Sequence, residues 1–475
     1  MPSPPVYLVS QASLYENARK AELAPIGVLY IGAALKKAGH RVRIFHLGQD
    51  RSGPLKKAVE EERPLFVGFS NFISPLLKFD VSLSKWLKSR GVPVVWGGMF
   101  ATTLPEAPLR SGWVDYVAVG EGEKLIVELA RAISEGTGPE GVPGVGWKKN
   151  GEIIINPPAP LAEDIDEFEF GLDLVDWENY IKDMPGGERY VRVPFSRGCP
   201  FRCAFCYNCA DPSRQKWRGH STEYMKEMLS FLQKKYGANL FFFVCDNPFG
   251  KVEEGKRVIE GLGVTWASTA HLKTLSPDFI DWALETRCRR LGLGLESGSD
   301  RVLALMKKGF TAEEVRWKMA LCNEKGLNTI SNWMAMVPGE TGDDMVKTFK
   351  LMEEVHDSGA RHSMSFSIFR AYPGTRFWDD ALELGHEVPE TLEEWAEYKG
   401  EIPRLLGFSD KQARRMRALA FAIFNKPTPQ FHPLFRPVRS VLKKRLFRLG
   451  FTGPLEETAA MGRRTFRKAK NVLSR

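Results

Sequence analysis

Ser196-Arg197-Gly198-Cys199-Pro200-Phe201-Arg202-Cys203-Ala204-Phe205-Cys206-Tyr207 puts three cysteines on one short loop, separated by three and then two residues. The loop follows directly on an apolar strand pattern, Val191 to Phe195. Thiolates so closely spaced can wrap one metal centre. A four-iron cluster held by three thiolates keeps one iron open to bind and activate a substrate, whereas a structural zinc site is closed by four ligands. A zinc knuckle would need Cys209 or His220 as its fourth ligand, and no second CxxC half is present. All seven cysteines, at 199, 203, 206, 209, 245, 288 and 322, fall after residue 198. An odd count without a secretion pattern at Met1 to Ser10 argues for metal or thiol chemistry in one domain and against a disulfide framework.

Outward from the loop, strand and helix patterns alternate. Helices are predicted over Thr222 to Tyr236, Glu253 to Leu262, Pro277 to Thr286, Ala312 to Lys325 and Asp343 to Ser358. Strands are predicted over Leu240 to Val244, Val264 to Ser268, Arg290 to Leu295, Thr329 to Val337 and Ser363 to Phe369. About six strand-helix repeats in this span predict a partial (β/α)6 barrel. The N-terminal stretch alternates in the same way through Val6 to Val9, Val42 to Phe45, Leu65 to Ser70 and Val92 to Trp96, predicting a Rossmann-like α/β domain. Ligands of such sheets sit at the carboxyl ends of the strands. Those ends are marked by Ser70-Asn71, Gly97-Gly98 and Gly120-Glu121-Gly122-Glu123. The expected division is residues 1–138 for this domain, 139–189 for a linker with a small hairpin, 190–390 for the barrel, and 391–475 for a helical, basic C-terminal region.

The formal charge of +9 belongs to the tail. Lys426 to Arg475 holds 13 Lys and Arg against Glu456 and Glu457, leaving a net of −2 for the other 425 residues. No nucleic-acid partner is therefore expected of the body. No apolar run reaches the ~18 residues of a membrane span, and a cytoplasmic protein is expected. Phe431 to Arg475 reads as a basic amphipathic helix that packs on the barrel, binds an acidic partner or rests on a membrane surface.

CxxxCxxC with an aromatic before the last cysteine resembles the signature of the radical S-adenosylmethionine superfamily. The resemblance implies that Cys199, Cys203 and Cys206 ligate a 4Fe-4S cluster, and that Phe205 lies beside S-adenosylmethionine. It also implies an external one-electron reductant and formation of a 5′-deoxyadenosyl radical. Phe243 to Asn247, Gly292 to Ser299, Val337 to Thr341 and Tyr372 to Thr375 are similar to successive strand-end motifs of the B12-associated branch. Among them Glu296 and Ser297 are the S-adenosylmethionine contacts, Glu296 reading equally as a salt-bridged barrel carboxylate. The N-terminal domain resembles the cobalamin-binding domain of these enzymes, which places Ser70, Asn71, Ser74, Gly97, Gly98 and Thr102 along the cofactor's nucleotide tail. The Asp-x-His-x-x-Gly motif that supplies a lower axial histidine is absent, so base-off cobalamin without a histidine ligand is expected and His46 is an ordinary strand-end residue.

Both cofactors in one chain imply methylation of an unactivated carbon, since an sp³ carbon is no nucleophile. Oxidative cyclisation or rearrangement, as in the branch resembling the anaerobic magnesium-protoporphyrin ester cyclase, is the alternative on the same scaffold. A methylthiotransferase would carry a second cysteine cluster upstream, and no cysteine precedes Cys199. A zinc-stabilised nucleic-acid-binding protein is the reading from a different class. Cys245, at a strand end before Asp246-Asn247, is the candidate catalytic thiol. Trp217, Trp266 and Trp333 are equally pocket or core, and a small molecule or peptide is the expected substrate.

Overall fold

The computed structural model describes residues 3–12, 23–48, 52–359 and 362–424. The amphipathic helix expected over Phe431 to Arg475 lies outside the described residues. The chain forms two compact units. The first takes the chain up to Phe195 together with Arg218–Phe241 and Glu387–Lys399, and the second takes Ser196–Trp217, Phe242–His386 and Gly400 onward.

In the first unit strands and helices alternate as β1 (Val6–Gln11), α1 (Ile26–Lys37), β2 (Val42–Leu47), α2 (Gly53–Glu61), β3 (Phe66–Asn71), α3 (Leu77–Lys88) and β4 (Val94–Gly98). Two short helices, α4 (Met99–Thr103) and α5 (Glu106–Arg110), lead to β5 (Tyr116–Ala118) and α6 (Glu123–Glu135). The five strands pair in parallel in the order β2-β1-β3-β4-β5. Such a sheet is covered on both faces, which is why β1, β3 and β4 are almost continuously apolar. Val6, Leu8, Phe66 and Val95 share one core with Val28 and Leu35 of α1 and Leu125 and Leu129 of α6. On α2, the Ala58 carbonyl accepts from the Tyr7 hydroxyl at 3.3 Å, and on α3, Ser84 Oγ accepts from Trp96 Nε1 at 3.0 Å. The expected hairpin, β6 (Val145–Lys149) and β7 (Glu152–Ile155), extends this sheet antiparallel from β5, because Val145 and Trp147 are buried in the same core.

A second hairpin in this unit, β8 (Lys182–Met184) and β9 (Glu188–Pro194), turns through Gly186 and Gly187. After the short β10 (Ser196–Arg197) and β11 (Arg218–Gly219), α7 (Thr222–Tyr236) starts on Ser221, whose Oγ accepts from the Tyr224 amide, and stops on left-handed Gly237. That serine cap and glycine stop bound the helix at the residues the sequence predicts.

The second unit continues through β12 (Leu240–Val244), α8 (Val252–Leu262), β13 (Thr265–Ala270), α9 (Pro277–Glu285), β14 (Cys288–Glu296), α10 (Asp300–Leu305), α11 (Ala312–Lys325), β15 (Thr329–Ala335), α12 (Gly342–Asp357) and β16 (His362–Ile368). β12 to β16 lie side by side in chain order, with parallel register from β13 onward. This is the sheet of a partial βα barrel. Cys288 opens β14 after Arg287, at φ +64°, turns the chain out of α9 just before it.

Next come α13 (Arg376–Glu383), α14 (Leu392–Glu397) and α15 (Asp410–Phe424). α14 belongs to the first unit, where Trp395 meets Phe100 at 5.7 Å, and α15 packs on β16 in the second. Among the described residues no helix is long and apolar enough to cross a membrane.

Candidate active sites

The cysteine loop is built by backbone contacts that leave its sulfurs free of structural duty. Gly198, at φ +83°, lies so close to the Lys216 carbonyl that a Cβ there would stand 2.2 Å from the oxygen. Only glycine fits that approach. The Cys199 amide donates to the Arg214 carbonyl at 2.9 Å, the Ala204 amide to Met306 at 3.0 Å, and Phe377 donates to the Ala204 carbonyl at 3.0 Å. The loop is thereby fastened to the ends of α10 and α13. Asp246, just past β12, accepts from the Gly198 amide at 3.0 Å and from the Tyr207 hydroxyl at 3.1 Å.

Burial pushes the Cys199 thiol up to about 11 and Cys206 to about 12, and raises Cys203; Cys203 bears electrostatically on both of the others. Alone, such thiols stay protonated at neutral pH. A cationic iron centre supplies the charge that makes all three thiolates, so the donor set fits a cluster. Among the described residues no three His, Cys, Asp or Glu converge on a point as ligands of one metal ion would. The ligands of a cluster bind different irons. Cys209 also faces Cys203, and its thiol lies 3.8 Å from the Phe201 carbonyl.

Close to the loop lies a buried ion pair that the sequence reading half anticipated. Glu296 ends β14 at φ +64°, a strained setting for a side-chain-bearing residue, and its carboxylate is 3.5 Å from Lys308 Nζ. Burial raises the Glu296 pKa and Lys308 opposes that rise. Lys308 stands 5.8 Å from the Phe205 ring centre, so Phe205 and Glu296 share a neighbour that was not foreseen. Lys307-Lys308 looks like a solvated charge pair in sequence, and nothing there marks the second lysine as buried. Ser297 is fully buried, with its Oγ 3.0 Å from Thr348 Oγ1 and accepting from the Ser299 amide at 3.1 Å. Glu340 is more than a turn residue: one oxygen accepts from the Met336 amide at 2.5 Å, the other is buried without a partner among the described residues, and burial pushes its pKa up to about 8.

In the first unit the candidate cofactor residues line up along one edge. Register pairs Ser10 with Ser70, Ser70 with Gly97, and Asn71 with Gly98, all at strand carboxyl ends. The order β2-β1-β3 reverses the chain's direction across the sheet here, which opens the crevice where ligands of such sheets bind. Gly98, at φ +87°, leaves a cradle that a Cβ would close, 2.6 Å from the Asn71 carbonyl and 3.3 Å from Ser70 Oγ. Thr102 Oγ1 accepts from the Gly120 amide at 3.1 Å, and Ser74 Oγ from Leu76 at 3.2 Å. Asn71 donates to buried Asp80 at 2.7 Å, and Gln11 donates to the other Asp80 oxygen at 2.8 Å. That leaves Asn71 Oδ1 buried without a partner among the described residues. An orphaned acceptor beside a glycine at the carboxyl edge of the sheet suits the amide-rich periphery of cobalamin.

His46 has its Nδ1 3.1 Å from the Tyr180 hydroxyl and stacks on that ring, and burial pushes its pKa down to about 4. His220, the candidate fourth ligand of a zinc knuckle, is buried, with Nε2 2.7 Å from Tyr30 Oη and Nδ1 2.6 Å from Asp166 Oδ1. Both of its ring nitrogens are therefore occupied. The Cys245 thiol meets the hydroxyls of Ser196 and Ser268, and burial pushes it up to about 12. Trp217, Trp266 and Trp333 are buried core residues, as are Cys288 and Cys322.

Comparison with known proteins agrees with this geometry. Residues 193–352 match the radical SAM superfamily and residues 15–130 match the B12 binding domain. The chain is 29% identical to an uncharacterized methyltransferase of Pyrococcus horikoshii, over 84% of this chain and 87% of the relative. It is 25% identical to the anaerobic magnesium-protoporphyrin IX monomethyl ester cyclase of Synechocystis, over 70% and 68%. Its fold is similar to that of the radical S-adenosylmethionine methyltransferase TsrM from Kitasatospora setae, with a TM-score of 0.69 at 18% identity, covering 98% of this chain and 99% of that one.

Gly98→Ala is expected to lower cobalamin retained after desalting at least tenfold while iron per chain stays unchanged, as measured by absorbance and metal analysis of one sample. Burial pushes the Asp80 carboxyl up to about 7, so the native state favours its protonated form. The stability linked to this group is complete below the unfolded value near 4 and is lost as pH rises through about 7. The denaturation midpoint of the parent chain is therefore expected to fall as pH rises from about 4 through about 7, and this part of the fall is expected to be absent in Asp80→Asn.

Proposed function

Because the chain belongs to the radical S-adenosylmethionine superfamily and carries a B12-binding domain ahead of it, we propose that it methylates an unactivated carbon of a small-molecule or peptide substrate. The carrying observation is the pairing in one chain of a three-thiol loop with the Gly98 close approach and the orphaned Asn71 acceptor at a sheet switch point. When bound, the cluster with S-adenosylmethionine supplies hydrogen-atom abstraction, and cobalamin supplies the methyl group. Cys199, Cys203 and Cys206 would hold the cluster, with Phe205, Glu296 and Ser297 toward S-adenosylmethionine. The Glu296–Lys308 pair keeps a fixed, buried charge arrangement next to the loop, which orients a zwitterionic ligand better than mobile side chains do. Ser70, Asn71, Ser74, Gly97, Gly98 and Thr102 would hold cobalamin by its periphery. An external one-electron reductant is required, and its identity is set outside this chain.

The likeness to the ester cyclase supports a second reading, oxidative cyclisation on the same scaffold. Incubation with methyl-deuterated S-adenosylmethionine separates the two. Three deuterons in the product establish methylation, whereas an unlabelled, dehydrogenated product establishes cyclisation. Cys203→Ala is the control, expected to form no 5′-deoxyadenosine. His46 Nδ1 is engaged by Tyr180 and the Asp-x-His-x-x-Gly motif is absent, which supports cobalamin held without a histidine from this chain. The EPR spectrum of the Co(II) form is expected to lack nitrogen superhyperfine splitting from an axial ligand, and its disappearance only in His46→Ala would contradict that assignment.

A further inference from the structure

Asp246 and Asn247 follow β12 and hold Ser196, Gly198 and Tyr207 of the cysteine loop, yet neither ligates anything in the scheme above. Asp246 accepts from the Gly198 amide at 3.0 Å and the Tyr207 hydroxyl at 3.1 Å, on either side of the three cysteines. The Asn247 carbonyl accepts from Trp217 Nε1 at 2.8 Å and from Ser196 Oγ at 3.4 Å. The Asn247 side chain is pinned from the other end, its Oδ1 accepting from the Phe249 amide at 3.1 Å. That contact fixes which way the amide points. Its Nδ2 is then buried without a hydrogen-bond partner among the described residues, and the Asn247 side chain is one of the groups that bear on Cys199 and favour its thiolate. Asn247 is 3% exposed. Leaving a buried amide donor without a partner is costly. A thiolate at Cys199 would remove that cost.

We propose that Asn247 donates a hydrogen bond to the Cys199 thiolate and that Asp246 sets a negative charge against the same loop, so that the two residues set the reduction potential of the cluster in opposite directions. The inference rests on the cluster assignment made above. Reduction adds one electron to the cluster, and its charge spreads onto the sulfurs. A donor to a sulfur favours the reduced state and raises the potential, while a nearby carboxylate opposes reduction and lowers it. Both residues are positioning residues, acting through the cysteine loop and touching no substrate.

The full-length chain, purified anaerobically with its cluster, tests this in an EPR-monitored redox titration without S-adenosylmethionine. Asn247→Ser removes the fixed amide donor and is expected to move the midpoint to more negative potential. About a tenfold change in the reduction equilibrium is expected, which for one electron is ~59 mV. Asp246→Asn keeps an acceptor for Gly198 and a partner for Tyr207, and is expected to move the midpoint the other way. Iron and sulfide per chain should equal those of the parent in both variants. Unchanged midpoints, or shifts of the same sign, overturn the inference, as does loss of iron in both variants, which would assign the two residues a purely structural role. A parent chain without iron and without a reduced-cluster EPR signal would instead sink the cluster assignment itself.

Discussion

Three cysteine sulfurs must be gathered at the end of a strand, Cys203 buried and Cys199 and Cys206 half-buried. That demand shapes the second unit. A buried thiol is tolerated as a small apolar group, but a buried thiolate is not unless a cation faces it. The loop's own backbone bonds are therefore satisfied elsewhere, by Arg214, Met306 and Phe377, and its charge-bearing neighbours, Asp246 and the Glu296–Lys308 pair, are held by geometry and not by solvent. Parallel strands in chain order bring those residues to one edge. A βα barrel suits the task because each strand end can contribute one group without disturbing the packing beneath it.

The first unit answers a different demand. A large, flat cofactor bordered by amides needs backbone at close range and a few fixed acceptors, not charge. Gly98 provides the approach, and the Gln11–Asp80–Asn71 contacts provide an acceptor whose direction is set. Keeping Asp80 in the core carries a stability cost that rises with pH, a trade found where a site needs rigidity more than the fold needs the carboxylate.

Much of this was legible in the sequence because the signals are local. Ser221 and Gly237 bound α7, Thr311 and Gly326 bound α11, and apolar runs of five to seven residues mark strands buried on both faces. CxxxCxxC is similarly local, since its ligands lie within one turn of chain. What escaped was non-local or context-dependent. Lys308 reads as a surface charge until its partner at 296 is known, and His220 reads as a surface histidine until Tyr30 and Asp166 are seen on its two nitrogens. Asp80 sits at an exposed-looking position of an amphipathic helix, and only the ends of β1 and β3 make it interior. The tryptophans at 217, 266 and 333 were ambiguous for the opposite reason: aromatic side chains fill cores and pockets alike.

The account stands on two cofactors held by one chain. Its most direct test is to purify the protein anaerobically from cobalamin-fed cells and measure iron, sulfide, zinc and cobalamin in one sample. About four irons and one cobalamin per chain are expected. Iron without cobalamin would contradict the role given to the first unit, and zinc alone would contradict the chemistry given to the cysteine loop.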